Sequence, residues 1–314
     1  SKGDATITVT ADDFSSTPVS ASCKIGVKIV TPITGMTFTE DKELNQLGYG
    51  QEYQIKYTLE PVDATASLLT WTSDNPDMIS VDKTGKLKVH TTKTASAVIT
   101  ASYGPVVQNV TVTVADGRFW YSLGNGLGNG QDNNWYLDGN GASVVSSDGK
   151  KTIVQMGSGY RGDLWLARSG KGKVVNVTPA DYRYFAIKVG FKSQLVPGKN
   201  KPNGCIKLEI FDDGIKKIGP EYFGTGGDAN NRYEILGASE ISTTEPNVLY
   251  YDLQSKYKTV TPTDWNQVFD LAQCKFVIAD FPETAQTYDL YWIRSFKSIE
   301  ELQAFVDSEN NTNE

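Results

Sequence analysis

Ile79-Ser-Val81-Asp-Lys-Thr-Gly85-Lys-Leu87-Lys-Val-His90 is two short strand-like runs joined by a turn. Asp82 opens the turn and Gly85 supplies the residue that can take a positive φ, so the stretch reads as a β-hairpin. Outward from it, period-two alternation recurs at Thr6-Ile-Thr-Val-Thr10, Tyr53-Gln-Ile-Lys-Tyr-Thr-Leu59 and Asn109-Val-Thr-Val-Thr-Val114. Gly, Asn, Asp and Pro break the chain between these runs, which is the pattern of β-sandwiches. Trp71, just upstream, is the large core residue expected of one sheet. One helix is predicted, at the far end. Ser298-Ile-Glu-Glu301 is a capping box, and Ile299, Leu302, Phe305 and Val306 fall on one helical face. The polar tail 307–314 is expected to be disordered.

At 314 residues the chain suits two or three domains. Hydrophobic content of 39% and charged content of 21% fit a globular protein. No apolar run approaches the roughly 18 residues of a membrane span. The net charge of −7, with scattered Lys and Arg, argues against nucleic acid and anionic membrane surfaces. A neutral ligand fits this balance better than a polyanion.

An internal repeat is present. Ala5-Thr-Ile-Thr-Val followed by Ser22-Cys-Lys-Ile-Gly-Val27 parallels Ala97-Val-Ile-Thr-Ala followed by Asn109-Val-Thr-Val-Thr-Val114. Cys23 then aligns with Val110, Ile25 with Val112 and Val27 with Val114, so Cys23 is expected to point into a core. Residues 1–31 therefore read as the last strands of a preceding repeat, cut in this chain. Residues 32–115 resemble a bacterial immunoglobulin-like domain of group 2. The resemblance rests on Ile33-Thr-Gly35-Met36, Leu59-Glu-Pro61-Val-Asp-Ala64-Thr65, Trp71-Thr-Ser73-Asp-Asn75-Pro, the hairpin 79–87 and the closing Val-Thr-Val. Such domains are spacers on surface proteins, which implies export without fixing an activity.

Beyond Asp116-Gly117 the composition changes. This stretch holds five of the six Trp and twelve of the sixteen Tyr. Its length suits one larger jelly-roll β-sandwich, residues 117–306, giving an all-β chain with a short C-terminal helix. The closing segment Tyr288-Asp-Leu-Tyr-Trp-Ile-Arg-Ser-Phe-Lys-Ser-Ile-Glu-Glu-Leu-Gln-Ala-Phe305, with Asp163-Leu-Trp165 and Phe276-Val-Ile-Ala-Asp280, is similar to C-terminal modules of Bacteroidetes SusE/SusF-like surface glycan-binding lipoproteins. That resemblance implies a cell-surface protein on the outer membrane, held by a lipid anchor outside this chain, that works beside a polysaccharide importer complex.

The large region has no histidine, because the single one is His90, which reads as a surface residue. This excludes Ser-His-Asp and Cys-His catalysis there, and His-ligated zinc. A two-carboxylate glycosidase stays open in principle, with Asp163, Asp212 and Asp280 among the candidates, but no pair stands out. The reading is therefore no enzyme. No cofactor is implied; a structural calcium is compatible with a sandwich of this kind, although no loop has ligand spacing. Cys205 and Cys274 each begin a strand-like run. Two buried free thiols are the reading; a disulfide between them is the alternative and needs neighbouring strands.

Aromatics are the positive signal. Sugar rings expose flat C–H patches that pack on indole and phenol rings, with amides, carboxylates or Arg taking the hydroxyls. One cluster is Trp120, the Gly-Asn run 124–130, Trp135 and Tyr136. A loop so rich in Gly, Asn and Asp is expected to leave Trp135 exposed, unless Trp135 begins a core strand. The second cluster is Tyr160, Arg161, Asp163 and Trp165. Arg161, Asp163 and Trp165 share one strand face, as an exposed binding face or as a buried ion pair beneath a Trp. Tyr222, before another Gly-Asn loop, is a further candidate. Trp265 is weaker, and Trp292 reads as core.

The function these features predict is non-catalytic capture of a neutral polysaccharide or oligosaccharide at the bacterial surface, for import. The rivals are an adhesin binding a protein through the same aromatics and, further off, a polysaccharide-active hydrolase.

Overall fold

A computed structural model describes residues 3–11, 19–27, 29–130, 134–138, 141–157, 161–167, 175–193, 205–212, 234–254, 265–279 and 286–311. The chain is built of β-strands in sandwich-like sheets, with one α-helix at the C-terminal end of the described residues. The first hairpin is β1 (Gly3–Ala11) and β2 (Val19–Val27). Next come β3 (Gly35–Phe38), β4 (Leu47–Tyr49), β5 (Glu52–Gln54), β6 (Tyr57–Glu60) and β7 (Thr70–Ser73). β8 (Ile79–Val81), β9 (Lys86–Val89), β10 (Ala95–Tyr103) and β11 (Val106–Ser122) follow. The larger part carries β12 (Tyr136–Asp138), β13 (Ser143–Ser147), β14 (Thr152–Gln155), β15 (Arg161–Ala167), β16 (Val175–Val177) and β17 (Tyr184–Phe191). It closes with β18 (Cys205–Asp212), β19 (Glu234–Ile235), β20 (Asn247–Asp252), β21 (Phe269–Ala279), β22 (Thr287–Phe296) and α1 (Ile299–Asn311).

The hairpin that turns at Asp82–Gly85 is β8–β9. Gly85 sits at φ +82°, and a Cβ there would lie 2.6 Å from the Trp71 ring, so glycine is required twice over. The Asp82 carboxylate accepts from the amides of Thr84 and Lys86, closing the turn. Trp71, Ile33, Met36, Leu87, Ile99 and Val112 belong to one buried cluster. The expected single strand 53–59 is split into β5 and β6, because the Ile55 amide turns to the carbonyl of Gly85.

A second cluster fills the space between two sheets of the larger part. One is the five-stranded sheet β12–β15–β21–β16, with β18 also paired to β21; the other holds β20–β17–β22–β11. Asp116-Gly117, where the composition changes, is not a break in the chain but lies inside the 17-residue strand β11. Its first half pairs with β10 and its second half with β22. Gly117 bends the strand at φ +66°, and a Cβ there would meet the Thr178 amide at 2.5 Å. Around the bend, Arg118 is buried and binds Glu43 at 2.8 Å, the Asn176 amide donates to Thr92, and Tyr49 packs on Phe119 and Tyr121. These contacts tie the immunoglobulin-like part to the large sandwich.

Two expectations are corrected. Cys23 is exposed, because no second sheet faces the β1–β2 hairpin among the described residues. The expected free thiol is found at Cys274: its strand neighbours that of Cys205, but the two positions are not opposed. Cys205 pairs with Ala279 and Cys274 with Ile210, so Cys274 stays a buried free thiol, its pKa pushed up by burial. The helix does not stop at Val306. It runs through Asn311, held where Glu309 accepts from Trp292 Nε1 at 3.0 Å and from Lys188 Nζ at 3.1 Å. At its start the Glu301 amide donates to Ser298 Oγ, while the Glu301 carboxylate reaches back to the Lys297 amide. His90 is half-buried, with Nε2 2.8 Å from Ser80 Oγ, and burial lowers its pKa.

Candidate functional site

Strand β12 decides which aromatics can serve a site. It pairs antiparallel with β15 so that Tyr136 faces Trp165, Leu137 faces Leu164 and Asp138 faces Asp163. Directly opposed residues share a face. Leu164 and Leu166 lie in the core, which places Tyr136, Asp138, Asp163 and Trp165 on the face turned away from it. Strand β21 adds Lys275 beside Trp165. Lys275 Nζ stands 4.4 Å from the Trp165 ring centre and 3.1 Å from Asp163 Oδ2. The arrangement is closed: Trp165 is 9% exposed and Asp163 5%. Of the two readings offered for Asp163 and Trp165, the buried ion pair is the one observed. Lys275 and Asp138 were missed. Lys275 is remote in sequence and reaches the site only through pairing; Asp138 follows from the same alternation as Tyr136.

That alternation also corrects Trp135. It has the parity of Leu137, so its ring turns inward and is 0% exposed, 5.7 Å from Phe276. A Gly-Asn loop did not keep it in solvent, because Trp135 directly precedes β12 and follows its alternation. The loop itself packs elsewhere. Gly130, at φ +83°, brings its backbone against the Tyr136 ring. Asn125 and Asn134 line a cleft of about 110 Å³ with Glu52 and Lys88 of the immunoglobulin-like part. Tyr121 donates to Asn134 Oδ1 at 2.8 Å.

Trp120 does not join these residues. It lies on the other sheet, paired opposite Arg294, and packs against Phe305 of α1 at 5.1 Å. Arg118 and Arg294 stand 4.6 and 4.3 Å from its ring centre. Trp292 is buried in the same cluster, with Phe296 and Leu302. Burial pushes the Arg294 guanidinium down to about 10, so it remains a cation at neutral pH. Trp265 packs partly against the main core. Arg161 sits in β15 opposite Ala279, and Tyr160 and Tyr222 lie outside the described residues. Among the described residues no group of three His, Cys, Asp or Glu side chains is placed to hold a metal ion.

Residues 123–302 match the family model described as a domain of unknown function, DUF4979. The chain belongs to this family. The DUF4979 match begins just after β11 and ends inside α1, so it takes in Tyr136, Asp138, Asp163, Trp165 and Lys275. No curated protein matches the chain. Among solved structures, the CBM51-2 and INT domains from Clostridium perfringens ZmpB are similar to it at 11% identity and a TM-score of 0.16. The similarity covers 77% of this chain and 48% of that one, so the chain spans about half of that structure.

Proposed function

We propose that the DUF4979 domain binds a neutral glycan without cleaving it, using the outer face of β12, β15 and β21. The observation that carries this is the cross-strand placement of Tyr136 beside Trp165, with Asp138, Asp163 and Lys275 on the same face. A fold needs apolar side chains toward its core; it does not need an indole, a phenol, two carboxylates and an ammonium together on the opposite face. A sugar ring would take the Trp165 face now covered by Lys275, and the freed ammonium and carboxylates would hold its hydroxyls. The immunoglobulin-like part, tied to the domain through Arg118 and Asn176, would present this face at a distance from the cell envelope. We place the protein at the bacterial surface, lipid-anchored to the outer membrane beside a polysaccharide importer.

An array of neutral and acidic polysaccharides, followed by calorimetry on the hit, tests this. Trp165→Ala should lower affinity by about 1–3 kcal/mol, the worth of one large ring's contact. Trp165→Phe should keep part of it. Unchanged affinity in a folded Trp165→Ala protein would move the site elsewhere. Reducing ends that accumulate with time, and stop with Asp138→Asn or Asp163→Asn, would make the protein a hydrolase instead.

A further inference from the structure

The hairpin β1–β2 repeats β10–β11 in more than sequence. In the first, Ala5 pairs with Ile25, Ile7 with Cys23 and Val9 with Ala21. In the second, Ala97 pairs with Val112, Ile99 with Val110 and Ala101 with Gln108. The aligned residues therefore meet the same partners, and each hairpin has one largely apolar and one largely polar face. Their surroundings differ. Ile99 is 0% exposed, in one buried cluster with Ile33, Met36, Trp71 and Leu87, and β7 flanks β10. Ile7 is 53%, Val9 68% and Ile25 43% exposed, and among the described residues β1–β2 forms a two-stranded sheet by itself. A lone hairpin with a bare apolar face is marginal in water.

We propose that the apolar face of β1–β2 is an interaction surface for the strands of a second immunoglobulin-like unit, equivalent to residues 33–89 of this chain. The shared register is the argument. A face built to the pattern of Ala97, Ile99 and Val112 fits the partner those residues have: a flanking strand like β7 and a facing layer carrying a Trp71-like ring. The polar face, with Thr6, Thr8, Ser22 and Lys24, would stay in water, as the corresponding face of β10–β11 does at Val98 and Thr111.

Cys23 lies on the apolar face and reports its cover. Iodoacetamide labelling, read on the peptide containing Cys23, would compare the 314-residue chain with the same chain carrying a second copy of residues 32–94 ahead of Gly3. The proposal expects rapid labelling of the chain itself at every concentration. It expects labelling at least about tenfold slower in the extended chain, since labelling then requires local opening. Ile7→Asp in the extended chain should restore rapid labelling. Equal rates in the two chains would overturn the proposal. So would protection of the 314-residue chain that grows with its concentration, which would make a second copy the occupant. Protection that survives Ile7→Asp would show that the cover does not use this face.

Discussion

On the outer face of β22 and β11, Trp120, Trp292 and Phe296 gather around Arg294 beneath the helix α1. On the outer face of β15 and β21, Trp165 lies under Lys275 with Asp163 at its side and Tyr136 in the adjoining strand. Both faces combine large rings with a cation, and both are turned from the main core. The first has its cover within the chain, since Leu302 and Phe305 of α1 supply the apolar surface and Glu309 receives the Trp292 indole N–H. The second has no helix over it among the described residues; Lys275 of the neighbouring strand lies over the Trp165 ring instead. An aromatic and cationic face is therefore not a binding signature by itself. What separates the two among the described residues is the kind of cover, a packed helix on the one and a strand lysine on the other.

The contrast is broken most directly at Trp292. If its face is a second core, Trp292→Ala should destabilise the protein by about 3–5 kcal/mol and leave glycan affinity unchanged. Chemical denaturation and calorimetry on the one variant read both. A Trp292→Ala protein that is stable but has lost binding would exchange the roles of the two faces.

The ion pair on the other face gives the next effect. Lys275→Met removes the cation that stands 3.1 Å from the buried Asp163 carboxylate, at a cost of about 2–3 kcal/mol. Lys275→Met with Asp163→Leu should recover much of that loss, because the pair is then replaced by packing. Both variants should bind glycan poorly. A double variant as stable as the parent and still fully binding would leave the pair a structural feature.

The sequence revealed the β-sandwich architecture, the hairpin at Asp82–Gly85, the helix start at Ser298 and the core role of Trp71. Each is set by local chemistry: a turn residue, a cap, or a period of two. The site was legible only in part. Asp163 and Trp165 share a face by alternation within one strand, and alternation also gives Tyr136 its side. Applied to Trp135, the same rule turns it inward, against the expectation from loop composition. Lys275 could not be found locally, because 112 residues separate it from Asp163. Trp120 was misplaced for a related reason: its cover, Phe305, comes from an element far along the chain, and nothing near Trp120 announces it.

The smallest effect concerns the carboxylate that the helix-bearing sheet buries in its turn. Asp289 is buried on β22 and is held by Lys151 at 2.6 Å and Lys192 at 3.2 Å, so it keeps one lysine when the other is removed. Lys151→Gln should therefore cost only about 1 kcal/mol near neutral pH, less than Lys275→Met. The hydrogen bond to Asp289 raises the Lys151 pKa above its ordinary 10.5. A base whose pKa is higher in the folded state contributes its stability in full below the unfolded value, and that contribution disappears as pH rises through the folded value. The gap between parent and Lys151→Gln should hence be widest near pH 8 and should close in alkali above 10.5. Urea denaturation of both proteins across that range measures it. A gap that stays constant with pH would mean that Lys151 acts through the packing of its stem over Asp289, not through its charge.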